Sequence, residues 1–334
     1  MIKDLFGTTK DGQDVYKFCL TSKNGIEAHI LTYGAIIQKI LMPKKDGHSV
    51  DVVLGFNELW QYEGKNPFFG SIIGRNANRI AHSEIFIDGE TILLNPNEGK
   101  AQLHGGADGF GRKNWDYEID GDELILTYIS QDGEEGYPGN LQVRASFMWQ
   151  DDTLIFNHQA VTDKKTVVNL TRHEYFNLSD EANILNHKLQ INADYYLPKT
   201  TGHIPTGEIK TVENTVMDLR KLTLLEDKLD KIEDGFDHNY VLNDRPPGTP
   251  AAVLISPRGD IKLNLFCTQP GLQFFSAADI GKWEGKYGSI SANSPALCLE
   301  AQHFPDTPHH KHFPSTILAP GEIYEQEIKY EFES

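Results

Sequence analysis

The sequence predicts an all-β fold, a large antiparallel β-sandwich with very little helix. Three observations predict it. Apolar and polar residues alternate with a period of two through much of the chain. Turn-forming residues punctuate these runs. No regular alternation of strand and helix patterns appears, which argues against a parallel α/β sheet.

The runs follow in order. Ile26, Ala28 and Ile30 alternate with Glu27 and His29. Tyr117 and Ile119 lead into Asp120-Gly121, and Leu124, Leu126 and Tyr128 resume the alternation, the pattern of a β-hairpin. Leu141, Val143, Ala145, Phe147 and Trp149 face one way, with Asp151-Asp152 turning the chain into Leu154, Phe156 and His158. Thr166 to Leu170 reads as a strand that delivers His173 at its end. Met217 to Lys231 reads as the one short helix. RPPGTP at 245–250 is a loop, since strand patterns continue on both sides. Ile261, Leu263 and Leu265 form another strand, and Ile328, Tyr330 and Phe332 close the chain. No repeat or composition break divides the sequence, so residues 1–334 are read as one domain.

The 334 residues carry a net charge of -17, which argues against nucleic acid and acidic membrane surfaces as partners. The cysteines, Cys19, Cys267 and Cys298, are too few and odd in number for a disulfide framework. The N-terminus lacks an apolar signal core, and no run approaches the ~18 apolar residues of a membrane helix. These features suggest a cytoplasmic protein, monomeric or homodimeric.

Several segments carry chemistry. GRNANRI at 74–80 supplies Asn78 and Arg79, planar donors suited to sugar hydroxyls. In QLHGG, His104 precedes paired glycines that permit close backbone approach to a ligand. NLTRHEYFNL at 169–178 supplies His173 and Tyr175. GFDHNY places Asp237 among aromatics, and PGLQFF offers the amide of Gln273, with Phe275 expected in the core. In ALCLEAQ, Glu300 ends an apolar strand, where burial would raise its pKa toward the range of a general base. His303, His309, His310 and His312 meet no structural zinc spacing and read as a solvated loop. There is no phosphate-binding glycine loop and no nucleophilic serine elbow.

Taken together, GRNANRI, LHGG, NLTRHEYFNL, GFDHNY, PGLQFF, LEAQHFPD and LAPGE resemble the aldose 1-epimerase family, in family order. The resemblance implies a galactose mutarotase-like supersandwich with an open sugar cleft. It implies interconversion of the α and β anomers of a free aldose such as galactose or glucose, with no cofactor and no metal. It casts Glu300 as general base and His173 as general acid, with Arg79, Asn78, His104, Asp237, Tyr175 and Gln273 binding the sugar. Asp237 would favour a protonated His173. Arg172 and Glu174 depart from the family pattern and could bear on sugar preference. The competing readings are a non-catalytic carbohydrate-binding module, a glycosidase with paired carboxylates, and a sugar-phosphate 1-epimerase. The last needs a cationic phosphate site, which the acidic charge disfavours.

Overall fold

The computed structural model describes residues 1–44 and 47–334. Its largest sheet has nine strands, all antiparallel. From one edge they run 116–120, 123–130, 141–150, 153–162, 324–333, 262–267, 252–255, 188–191 and 223–224. The last strand of the chain, Tyr324–Glu333, lies between Thr153–Thr162 and Lys262–Cys267 and so joins early and late halves of the sheet. The predicted hairpins are present: Tyr117 faces Leu126, and Phe147 faces Phe156.

A second sheet orders strands 210–211, 195–196, 237–241, 271–275 and 298–302. Its two faces carry different residues because side chains alternate along each strand. Leu272, Phe274, Leu299 and Ala301 enter the main core together with Phe156, Leu263, Leu265, Ile328 and Tyr330. Each of the Leu, Ile and Phe side chains among these contributes roughly 1.5–3 kcal/mol when removed from water. The opposite face carries Asp237, Phe275, Gln273, Cys298 and Glu300, since Asp237 pairs with Phe275, Gln273 with Glu300, and Phe275 with Cys298. A five-stranded sheet of residues 2–51 completes the layers, and single bridges Val53–Phe176 and Phe176–Leu297 tie it toward the second sheet.

Helix is scarce but differently placed from the sequence reading. The 217–231 segment yields only the turn Glu226–Leu229, preceded by a short strand Thr223–Leu224. Met217, Leu219 and Leu225 are instead buried one by one in the core, from backbone that is not helical at 217 or 219. A five-residue helix, Leu59–Glu63, occurs where none was expected; its N-terminus is closed by reciprocal Glu58–Gln61 bonds, the capping-box arrangement. The strand expected before His173 is broken into Thr166–Val167 and Thr171–Arg172.

Candidate functional site

One cleft of about 450 Å³, a volume suited to a small ligand, gathers Asn78, Arg79, His104, His173, Tyr175, Asp237 and Glu300. The wider hollow along residues 242–249 contains none of them. Gln273 lies directly behind, donating to Asp237 Oδ1 at 2.7 Å and pairing across strands with Glu300. Six segments singled out from sequence, GRNANRI, QLHGG, NLTRHEYFNL, GFDHNY, PGLQFF and ALCLEAQ, therefore converge.

Glu300 sits on the middle of the edge strand Cys298–Gln302 and is 2% exposed. Its Oε2 is buried without a hydrogen-bond partner. Its Oε1 lies 3.8 Å from Nε2 of His173, too long for a hydrogen bond. His173 is itself held from several sides. Tyr175 lies nearly parallel to its ring at 5.0 Å and 14°, Phe68 at 6.1 Å and 22°, and His104 meets it edge-on at 5.2 Å. Cys298 Sγ reaches its Nδ1 at 3.4 Å.

The electrostatics correct one expectation. Burial pushes His173 down to about 4, although its own backbone carbonyl and Asp237 pull the other way. Desolvation therefore outweighs the neighbouring carboxylate, and the imidazole of the free protein is neutral. Burial also raises Glu300 well above the usual carboxylate range, helped by the negative charges of Asp237 and Glu174. Burial alone would raise Asp237 as well. A hydrogen bond from His203 and the positive charges of Lys199 and Arg79 reverse that, and the carboxyl stays well below its ordinary value. Lys199 and His203 lie 3.0 and 2.9 Å from its Oδ2.

Asn78 and His104 form an interlocked pair. Asn78 N–H donates to His104 Nδ1 at 3.2 Å, and His104 N–H donates to the Asn78 carbonyl at 3.0 Å. Both residues have left-handed backbone, φ 60° and 54°, a conformation for which Asn and His are enriched among non-glycine residues. Gly105 follows because a side chain there would strike the Gly74 carbonyl. Burial, together with His173 and Arg79, lowers His104 well below the ordinary histidine value. The ring is thus neutral and, with Nδ1 accepting, carries its proton on Nε2.

That tautomer bears on metal binding. His104, His173 and Glu300 bring one ligand atom each within 4.8 Å of one another. A metal on His104 Nε2 would require Nδ1 to carry the proton, and Nδ1 faces a backbone N–H donor. The trio suits hydroxyl recognition and proton transfer better than ligation.

Arg79 is paired with Glu98, whose Oε1 accepts from Nη2 at 2.9 Å. Of the rest of GRNANRI, Asn78 lines the cleft, but Arg75 and Asn76 do not. Arg75 is 2% exposed and donates to the carbonyls of Ser130, Gln131 and Pro138, anchoring the loop from behind. Arg172 and Glu174 also point away. They pair at 2.8 Å with both side chains fully buried, and Glu174 Oε2 accepts from Tyr330 at 2.7 Å. Alternation explains this: flanking His173 on both sides, they face the core while it faces the cleft. Neither residue lines that cleft. Phe275, expected in the core, lines the cleft with Phe68, Ile280 and Trp283, giving it apolar walls. The late histidines are only partly solvated: His312 is exposed, whereas His303, His309 and His310 are half-buried. His309 Nδ1 pairs with Asp306 at 2.6 Å, and His310 and His312 pack on Phe313.

Sequence reasoning missed Phe68, Trp283, Glu98, Lys199 and His203. Lone aromatics and loop charges carry no periodic signal, and only the fold brings them to the site.

The sequence profile described as Aldose 1-epimerase matches residues 16–331. The chain belongs to the aldose 1-epimerase family. It is similar to the galactose mutarotase of Sus scrofa, 37% identical over 327 residues, covering 96% of this chain and 95% of that one. It is 34% identical to the aldose 1-epimerase of Escherichia coli (strain K12), covering 99% of each chain. Among solved structures, an aldose epimerase homologue from C. elegans superposes with a TM-score of 0.89 at 29% identity, covering 95% of this chain and 98% of that one. A galactose 1-epimerase from Lactobacillus acidophilus gives 0.87 at 28% identity, covering 99% and 98%. The fold is thus galactose mutarotase-like, as the sequence motifs implied.

Proposed function

We propose that this chain is an aldose 1-epimerase, an isomerase that interconverts the α and β anomers of free aldoses such as galactose and glucose. The observation that carries the mechanism is the placement of His173 Nε2 and Glu300 Oε1 side by side, 3.8 Å apart, on the lining of one cleft of about 450 Å³. Full-length relatives named for this activity support the reading. None of those relatives is named as a sugar-binding module or a sugar-phosphate epimerase.

The chemistry asks for one acid and one base. The pair holds one mobile proton, on Glu300 in the free protein, and with cyclic sugar bound it passes to His173 Nε2 before the ring opens. Glu300 takes the proton of the C1 hydroxyl as His173 gives its Nε2 proton to the ring oxygen. The bond between C1 and the ring oxygen breaks, leaving the open-chain aldehyde. After rotation about C1–C2, closure on the other face returns both protons. Ring opening converts an ion pair into a neutral pair, and burial of both groups favours the neutral pair. The dry cleft thereby stabilises the protonation state of the open-chain intermediate.

The remaining roles follow from placement. His104 Nε2–H, Arg79, Asn78 and Asp237 hold hydroxyls, Gln273 fixes Asp237, and Tyr175 with Phe275 and Trp283 supplies apolar faces. The reaction needs no electron carrier and no metal. Residues 1–334 act as one domain, monomeric or homodimeric, in the cytoplasm, without nucleic acid or membrane partners. Among the described residues no helix is long and apolar enough to cross a membrane. Polarimetry of freshly dissolved α-galactose, with no metal or cofactor added, tests the proposal. Faster equilibration than buffer alone is expected; an unchanged rate on galactose and glucose alike would end it.

A further inference from the structure

Cys298 lies on the strand that carries Glu300, two residues before it, and shares its face. It is 0% exposed. Its sulfur reaches His173 Nδ1 at 3.4 Å, within range for an N–H···S contact. Burial raises this thiol well above its ordinary value, as do the negative charges of Glu300 and Glu174, so it is a neutral S–H and not a nucleophile. The mutarotation step above leaves it without an assigned task.

We infer that Cys298 is a positioning residue for the proton transfer, its sulfur accepting the Nδ1–H of His173 so that only Nε2 gains and loses a proton. This rests on the proposed roles of His173 and Glu300. When His173 protonates the ring oxygen, the proton leaves Nε2 and the electron pair of the breaking C1–O bond receives it. The imidazole that remains must carry its proton on Nδ1, and that proton needs an acceptor inside the protein. Cys298 is the side chain that meets Nδ1. The Tyr175 ring, stacked on the imidazole, fixes the plane in which this contact forms.

The chemistry of the acceptor matters. Sulfur is a weak, uncharged acceptor. A carboxylate at the same place would stabilise the imidazolium and make it a poorer acid. A thiol orients the ring without that effect and leaves the imidazolium acidic enough to protonate an ether oxygen, which is a feeble base.

The test compares Cys298→Ser, Cys298→Ala and Cys298→Asp in the full chain, by polarimetric kcat and KM across pH and by 15N NMR of the His173 ring. The serine variant keeps an acceptor and should stay within about 3-fold of the parent. The alanine variant should lose roughly 10-fold in kcat with KM unchanged, part of the 10²–10⁴ that a positioned acid supplies. Its neutral His173 should show mixed tautomers, where the parent shows Nδ1–H. The aspartate variant should move the acid limb of the pH profile upward. Parent activity and an unchanged tautomer in the alanine variant would overturn the inference. So would a parent His173 whose neutral form carries its proton on Nε2. A parent chain inactive on every aldose would instead overturn the proposed function, and the NMR tautomer would still report on Cys298.

Discussion

Glu174 and Glu300 are buried to nearly the same degree, 1% and 2% exposed, and the fold treats them oppositely. Glu174 has both oxygens occupied, by Arg172 Nε at 2.8 Å and Tyr330 Oη at 2.7 Å. Arg172 in turn donates to the carbonyls of Ala35 and Gly70 and lies over Phe147 and Phe156. Glu300 has an unpartnered Oε2 and a single long approach to His173. A buried carboxyl left incomplete is costly, and proteins rarely keep one without use. The completed Glu174 carboxyl fastens strand to core, although Nη1 of its partner Arg172 has no acceptor; the Glu300 carboxyl, lining the cleft, is left open to a ligand.

The largest effect should come from the incomplete pair. Glu300→Gln and His173→Asn should each lower the polarimetric kcat by roughly 10³-fold or more, in line with losing a general acid or base. Their circular dichroism and thermal midpoints should stay near the parent's, because neither side chain completes a core network. The completed pair should behave in reverse. Glu174→Gln should cost about 3–5 kcal/mol of stability in denaturant melts by stranding the Arg172 charge. The double change Arg172→Met with Glu174→Leu should recover much of that loss. Folded molecules of either variant should keep the parent's kcat, since both residues turn away from the cleft. A strong loss of kcat with unchanged stability in Glu174→Gln would break the contrast.

Asp237 stands between the two cases, a cleft carboxyl completed by Lys199, His203 and Gln273. Asp237→Asn should raise KM about 10-fold, the cost of one hydroxyl contact of about 1.4 kcal/mol, with a smaller change in kcat.

The pH dependence sharpens the comparison further. Unshifted groups would lose the pair's last proton above about pH 6.5. Here that proton resides on Glu300, whose pKa is raised, so kcat/KM should persist above pH 6.5. It should fall in acid near pH 4, where His173 takes a second proton into the pair. Stability should respond in the same window. Burial lowers His158 to about 3 and His173, His187 and His238 to about 4. The unfolded chain, with values near 6.5, binds more protons between those limits, so stability should decline as pH falls from about 6.5 toward 4. Glu300 has the opposite sign, since the folded state holds its proton more tightly. Thermal melts at several pH values check the net slope.

Much of the site was legible because its residues sit in short, distinctive runs such as LHGG, RHEYF and LEAQ. The long strands were legible because one face is solvated, as in 141–150, where Gln142 and Gln150 are exposed beside buried Leu141 and Val143. The short strands around His173 were not, since a two-residue strand shows no period. The protonation of His173 was also misjudged. Sequence displays the charge of Asp237, but the burial that outweighs it arises only when Tyr175, Phe68 and His104 close around the ring. Arg172 and Glu174 stand out in sequence as departures from the family pattern with a bearing on sugar preference. Alternation placed them in the core, which their polarity concealed.

The most direct test is a crystal structure of the Glu300→Gln variant with galactose bound. His173 Nε2 should lie about 2.6–3.2 Å from the ring oxygen, with the substituted side-chain amide at the same range from the C1 hydroxyl. Sugar bound outside this cleft, or both side chains meeting the same oxygen, would contradict the account.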